Sequence, residues 1–362
     1  MDHARRFRLL RTRMNERGIE ALLVTHLPDV RYLCGFTGSN AALVVTPRRA
    51  ALFTDGRYTV QAKEQTHSAR VVIAKRSALG EACAWLEESG AKHAAFDPEQ
   101  TTLAALASMR SAISSRRRRG FFHPLTSPLV SELRLVKDSE ELRLMTDAAH
   151  LGCDLFEATL SQIQSGRAEV EVAAYLEHEA RMRGAEGMSF ETIVASGPRS
   201  AMPHGHATTA RLPRNGFVTL DFGVILKGYC SDMTRTVYLG KPSNQERFAY
   251  DAVLEAQRAA VEAVRPGVSC GEVDAAARSV LKKAGLAAAF THSTGHGVGL
   301  EIHEPPRVAA AQTTELISGM VITIEPGVYI AGKFGLRIED MVVVTDQGSK
   351  CLTPATKAWI QL

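Results

Sequence analysis

From Lys137 onward the sequence runs one pattern twice, and a chain that repeats itself in this way is built to fold as two related halves. The first copy opens with KDSEELRLMTDAAHLGCDLFEATLSQI and EVEVAAYLEHEARMRG, both apolar at helical spacing, and continues into the strand-like ETIVAS and FVTLDFGVIL. The second copy has QERFAYDAVLEAQRAAVEAV and GEVDAAARSVLKKAG, then MVITIEPGVYI and LRIEDMVVVT. Each half reads as two helices followed by a strand hairpin. Ser139 is expected to cap the first of these helices.

The repeat reaches individual residues. Asp221 closes the apolar run begun at Gly216, and Asp232 follows eleven residues later. Glu325 closes the run begun at Gly319, and Glu339 follows fourteen residues later. Buried carboxylates are costly unless they are paired or bound to metal, and no lysine or arginine stands beside Asp221 or Glu325 in the sequence. Four acids on adjacent strands therefore call for cations between them. Two divalent ions supply +4 against −4. His296 adds a neutral nitrogen from STGHGVGLEIHEPP, residues 293–306, which also carries His303. That segment is too rich in glycine for an ordinary helix and too polar for a buried strand. An oxygen-rich donor set favours manganese, cobalt, iron or zinc over a soft thiolate metal. Such a pair about 3.5–4 Å apart activates water and polarises a carbonyl, which is hydrolase chemistry.

Ahead of the repeat, RRFRLLRTRMNERG and GEACAWLEESG read as helices, and ALLVT, ALVVT and ALFTD as short strands. This is the pattern of a compact α/β domain. The two prolines of FFHPLTSPLV place a boundary near residue 127, giving domains of 1–127 and 128–362. A net charge of +4 on 362 residues gives no reason to expect a nucleic-acid or membrane partner, and the run Arg116–Arg119 reads as a solvated loop. Six cysteines without a CxxC pair read as reduced thiols. With no cleavable apolar leader and no run of about 20 apolar residues, a cytoplasmic location is expected.

The ordered series LDFG, CSDMTRT, STGHGVGLEIHE, TIEPGVYI and LRIEDM resembles the pita-bread metallopeptidases, above all the proline-specific Xaa-Pro aminopeptidases and prolidases. YLCGFTGSNAALVVT and FTDGRYTVQA are similar to a creatinase-type N-terminal domain. The resemblance implies an α/β creatinase-like domain followed by an α+β pita-bread catalytic domain with an internal pseudo-two-fold repeat. It also implies that Asp221, Asp232, His296, Glu325 and Glu339 hold two divalent ions, most simply Mn2+, with Co2+ or Zn2+ as alternatives. Asp232 and Glu339 would bridge both ions, Asp221 would serve one, and His296 with Glu325 the other. Glu325 would double as general base.

The same resemblance puts His204 and His303 at the substrate and makes Arg337 and Tyr329 part of the active-site pattern. Arg337 lies two residues before Glu339, so strand alternation would put both on one face. An Xaa-Pro bond lacks the amide N–H, so its enzyme needs a small apolar pocket for the ring. The implied activity is removal of an N-terminal residue from proline-containing peptides. A strict Xaa-Pro dipeptidase is the alternative, with Arg199, or more weakly Arg57, as the clamp for its substrate's carboxylate. Methionine aminopeptidase and a metal-free creatinase-like or binding relative are further alternatives. Family members of this architecture pair as homodimers through their N-terminal domains.

Overall fold

In the computed structural model, which describes residues 1–362, the apolar runs become the expected elements in two compact units, Met1–Arg134 and Leu135–Leu362. Helix α1 (His3–Glu16) starts where the Asp2 carboxylate accepts the Arg5 N–H, and it buries Phe7, Leu10 and Met14 at helical spacing. Six strands follow: β1 (Leu22–Val24), β2 (Ala42–Val45), β3 (Ala50–Thr54), β4 (Arg70–Ile73), β5 (Ala94–Phe96) and β6 (Phe122–Pro124). They form one mixed sheet in the order β4-β3-β2-β1-β5-β6, antiparallel at β1/β2 and β2/β3 and parallel elsewhere. The helices between them are α2 (Leu27–Cys34), α3 (Thr59–Gln65), α4 (Ala78–Glu88) and α5 (Leu103–Ser111). Arg116–Arg119 lies in an exposed turn.

Helix α6 (Leu129–Arg134) belongs to this first unit, because Arg134 donates to Asp29 of α2 at 2.7 Å with both side chains only 3% exposed. Stranding either charge of such a pair costs about 3–5 kcal/mol. The division between units accordingly falls after Arg134.

In the second unit, α7 (Ser139–Thr159) and α8 (Glu169–Met182) precede β7 (Gly187–Met188), β8 (Ile193–Ser196), β9 (Gly216–Phe222), β10 (Val224–Leu226), β11 (Tyr229–Cys230) and β12 (Met233–Leu239). Helices α9 (Asn244–Ala263) and α10 (Cys270–Lys283) then precede β13 (Gly295–Gly297), β14 (Glu304–Val308), β15 (Val321–Ile324), β16 (Gly327–Ile330), β17 (Phe334–Arg337), β18 (Asp340–Val344) and β19 (Ser349–Cys351). Phe156 and Leu176 of the first helix pair pack with Val218 and Leu220 of β9. Val253 and Val273 of the second pair pack with Ile322 and Val342. The α-helices and sheets thus repeat as the sequence pattern implied.

Two local expectations are corrected. The cap of α7 is Asp138, not Ser139: its carboxylate accepts the N–H groups of Glu140 and Glu141 at 3.0 and 2.9 Å, and Glu141 closes the box on the Asp138 N–H. The segment around His296 does form a buried strand. β13 lies between β14 and β15, with a register shift at His296/Gly297. Its glycines make this possible, since a Cβ at Gly295 would lie 1.9 Å from the Thr323 carbonyl oxygen. No helix is long and apolar enough to cross a membrane. All six cysteines are free.

Candidate metal centre and active site

The four acids arrive by strand geometry. Asp221 is the penultimate residue of β9, Asp232 immediately precedes β12, Glu325 immediately follows β15, and Glu339 immediately precedes β18. β9 pairs with β12, and β15 with β18, so each half delivers two acids to one end of a hairpin. The Glu339 N–H donates to the Thr234 carbonyl at 3.1 Å, which joins the halves at this point. Glu339 therefore sits on the connection between β17 and β18 rather than within one strand alongside Arg337.

Ligand-capable atoms of Asp232, His296 and Glu339 lie within 4.8 Å of one another. Like charges at that separation repel by about 3–4 kcal/mol at an effective dielectric near 20. Burial first, and then the neighbouring carboxylates, hold the Asp232 and Glu339 carboxyls well above their ordinary range. Burial also raises Glu325, to about 8 against the opposing pull of Arg337. His296 shows the same deficit from the other side. Its Nδ1 lies 3.0 Å from the Gly297 carbonyl, which can only accept, so Nδ1 carries the proton. Nε2 then presents a lone pair 3.5 Å from Asp232 and 3.8 Å from Glu325. Burial lowers this imidazole to about 4, so protonation does not supply the missing charge at neutral pH. The Asp221 Oδ1 is buried with no hydrogen-bond partner. An acceptor-only cluster of this kind fits divalent cations.

Arg337 is the one permanent cation in the group, and it cannot offset four carboxylates. Its NH2 binds Asp221 Oδ2, its Nε donates to Thr234 Oγ1 at 3.0 Å, and its NH1 donates to the Pro203 carbonyl at 3.1 Å and to Tyr329 Oη at 2.6 Å. The Thr234 hydroxyl in turn donates a hydrogen bond to Glu339 Oε2 at 2.7 Å. Tyr329, on β16, sits 3.0 Å from His292 Nε2, and His292 Nδ1 is 2.8 Å from the Ser293 carbonyl. Burial raises the Tyr329 phenol to about 12 and lowers His292 to about 4. Both stay neutral at pH 7, so the tyrosine hydroxyl donates to a neutral imidazole.

The acids, His296, Arg337 and His292 face a cavity of about 740 Å³, whereas Tyr329 lies outside its lining. His204 and His303 line it together with all four acids, His296 and Arg337. The His303 and His296 rings stand edge to face, 4.4 Å between centroids. Phe190, Ile193, Ile302, Pro203, Pro305 and Pro306 supply an apolar wall. Arg199 is not part of this lining. Its Nε binds the buried Glu169 at 3.0 Å and its NH2 the His206 carbonyl at 2.8 Å, so it fastens the loop instead of offering a clamp to a ligand. Arg57 forms a two-pronged pair with Asp55, both bonds 2.9 Å.

Two cavity residues went unnoticed in the sequence. His292 stands four positions before His296, and a third histidine in one short glycine-bearing run was the available signal. Arg307 lies on β14 opposite His296, on the exposed side of an alternating strand, and forms no salt bridge within the chain. The sequence EPPRV carries no polar–apolar alternation, so the exposure of Pro305 and Arg307 between buried neighbours emerges only in the fold.

A tandem-repeat unit with such a cluster defines a metal-dependent hydrolase. The model of metallopeptidase family M24 matches residues 143–346, and that of the creatinase/prolidase N-terminal domain matches residues 6–136. The chain belongs to metallopeptidase family M24, carrying its creatinase-type N-terminal domain. It is 34% identical over 351 residues to the Xaa-Pro dipeptidase of Pyrococcus horikoshii, covering 96% of each chain. The structure superimposes on a Xaa-Pro dipeptidase from Bacillus anthracis with a TM-score of 0.95, at 39% identity over 100% of both chains. An X-Pro aminopeptidase from Thermotoga maritima matches with a TM-score of 0.88 at 35% identity, covering 96% of this chain and 99% of that one.

Proposed function

We propose that this protein hydrolyses the peptide bond between an N-terminal residue and a following proline. The observation that carries the reading is the acceptor-only cluster of four acids and His296 opening, beside His204 and His303, onto an apolar-walled cavity. Asp232 and Glu339 would hold both of two divalent ions, Asp221 one of them, and His296 with Glu325 the other, with Mn2+ the preferred occupant and Co2+ or Zn2+ alternatives. Bound there, the ions lower the pKa of water and polarise the scissile carbonyl. Glu325 takes the proton of the attacking water and returns it to the leaving proline nitrogen. His204 and His303 donate toward the carbonyl region. Arg337 holds Asp221 and the Pro203 carbonyl, and so fixes the His204 loop against the acids. Tyr329, bound by Arg337, sets the orientation of that guanidinium. The apolar wall receives the proline ring, for which a missing amide N–H costs nothing.

Two lengths of substrate are compatible with this chemistry. The sequence resemblance leans to an aminopeptidase acting on longer peptides, as does the Thermotoga maritima relative. Arg307 favours the dipeptide, because an unpaired guanidinium on the cavity wall suits a proline carboxylate. The test is kcat/KM for Ala-Pro, Ala-Pro-Ala and Ala-Ala with added Mn2+, in the parent and in Arg307→Ala. A dipeptidase loses Ala-Pro selectively in the variant; an aminopeptidase cleaves Ala-Pro-Ala well in both; cleavage of Ala-Ala alone would overturn the proline reading. The same reading has the protein working as a homodimer, which light scattering measures, in the cytoplasm, where its six free thiols stay reduced.

A further inference from the structure

His303 and Glu304 are neighbours that both line the cavity but differ sharply in burial. His303 is exposed to the cavity, whereas the Glu304 side chain is 4% exposed and sits beneath the loop joining β13 to β14. Its Oε1 accepts the Glu301 N–H at 3.0 Å. Its Oε2 lies 3.3 Å from the Lys137 ammonium, itself only 1% exposed. A Cβ at Gly299 would fall 2.6 Å from that oxygen, so glycine is what lets the carboxylate tuck under the loop.

Each side of this arrangement is anchored. The Lys137 N–H donates to the Gly319 carbonyl at 2.9 Å. The Gly299 N–H donates to the Glu301 carbonyl at 3.0 Å, and the Gly299 carbonyl accepts the Cys230 N–H at 2.8 Å, two residues from Asp232. A buried ion pair is a weak source of stability compared with apolar packing of the same volume. What this pair does fix is the path of the backbone from 299 to 304, and with it the placing of the His303 ring against His296.

We infer that Glu304, neutralised by Lys137, is the positioning residue for His303. The inference rests on the proposed substrate-facing role of His303. With its side chain only 4% exposed, Glu304 acts through the loop, holding it so that the adjacent His303 side chain meets the scissile carbonyl. The pair gives the charged residue directly after a cavity histidine a structural task, where a solvated glutamate would leave the loop free to shift.

The test is a double-mutant cycle on kcat for Ala-Pro, with metal content and Tm measured for every variant. Glu304→Gln should lower kcat by about 10–100-fold, leaving KM and metal content near the parent values. In a His303→Ala background the same substitution should lower kcat by less than about twofold, because both changes act through one group. If stranding the Lys137 charge prevents folding, Glu304→Gln combined with Lys137→Met removes both charges, and the same pattern is expected. Equal fold losses in the two backgrounds, or a Glu304→Gln enzyme within about twofold of the parent, would overturn the inference. A His303→Ala enzyme with unchanged kcat would instead overturn the reading of His303 itself, and this inference along with it.

Discussion

The two halves of the catalytic unit deliver matching acids from matching places, but they are not built alike. In the first half, β9 and β12 pair over seven residues, all buried, within a three-stranded sheet. In the second, β15 and β18 pair over four, and β13 and β14 on one side and β19 on the other make five strands. Strands β13 and β14 carry His296 and adjoin His303. Each half also sends one arginine across to the other, to different ends. Arg235 of β12 binds the Asp340 carboxylate at 2.7 Å and donates to the Glu339 carbonyl, deep in the protein. Arg337 of β17 binds Asp221 and Thr234 at the cavity. The doubled frame brings the charges together, and the departures from symmetry supply the histidines and the arginine that line the cavity.

The sharpest way to break this comparison is to remove the central acid of either half. Asp232→Ala and Glu339→Ala should both lose metal and lower kcat/KM by more than about 10³-fold, and exhaustive chelation of the parent should do the same. Asp221→Ala should retain part of its metal. Metal analysis after dialysis decides it, and equal metal loss in all three variants would remove the distinction between bridging and single-ion acids.

The crossed arginines should separate stability from turnover. Arg235→Met leaves Asp340 with Lys357 and Gln257 but strips its main partner, so urea unfolding should show a loss of about 3–5 kcal/mol. Arg337→Met in the metal-loaded protein should cost less than about 2 kcal/mol while kcat falls about 10²-fold. The histidines come next. His204→Ala, from the first half, and His303→Ala, from the second, should each lose about 10²-fold in kcat with full metal content, as measured by metal analysis on the assayed enzyme.

The smallest effect concerns pH. In the metal-free protein Glu325 titrates near 8, with Asp232 and Glu339 also raised, so the folded state holds protons that the unfolded state releases above about 4.5. Stability should then fall as pH rises. His292 and His296, lowered to about 4, oppose this below about 6.5 and are silent above it. Between pH 6.5 and 8 the metal-free protein should lose on the order of 1 kcal/mol per pH unit, and Mn2+ should abolish that slope in thermal melts.

How much of this was legible in the sequence depended on whether a position obeyed a period. Asp221 and Glu325 were readable because each ends an apolar run, and His296 because glycines surround it. Side chains on loops obey no period. Arg199 reads as a free cation beside His204, yet Glu169, thirty residues away, takes it; nothing in the spacing of those two residues announces the contact. The β13 strand was hidden for a related reason. Its polarity argued against burial, but the missing side chains of Gly295 and Gly297 were what allowed a neighbouring backbone to close over it.

Gly295 also bears on how this enzyme could be re-engineered. The atom facing its missing side chain is a carbonyl of the adjoining strand, which no change of rotamer can move aside. A library that randomises the His296 ribbon would therefore consist mostly of misfolded members. The segment Phe190–His206 on the cavity wall is exposed at Glu191 and His206, whose side chains can be exchanged. Changes of substrate scope belong on that wall, with the histidine ribbon left as the fixed reference against which they are selected.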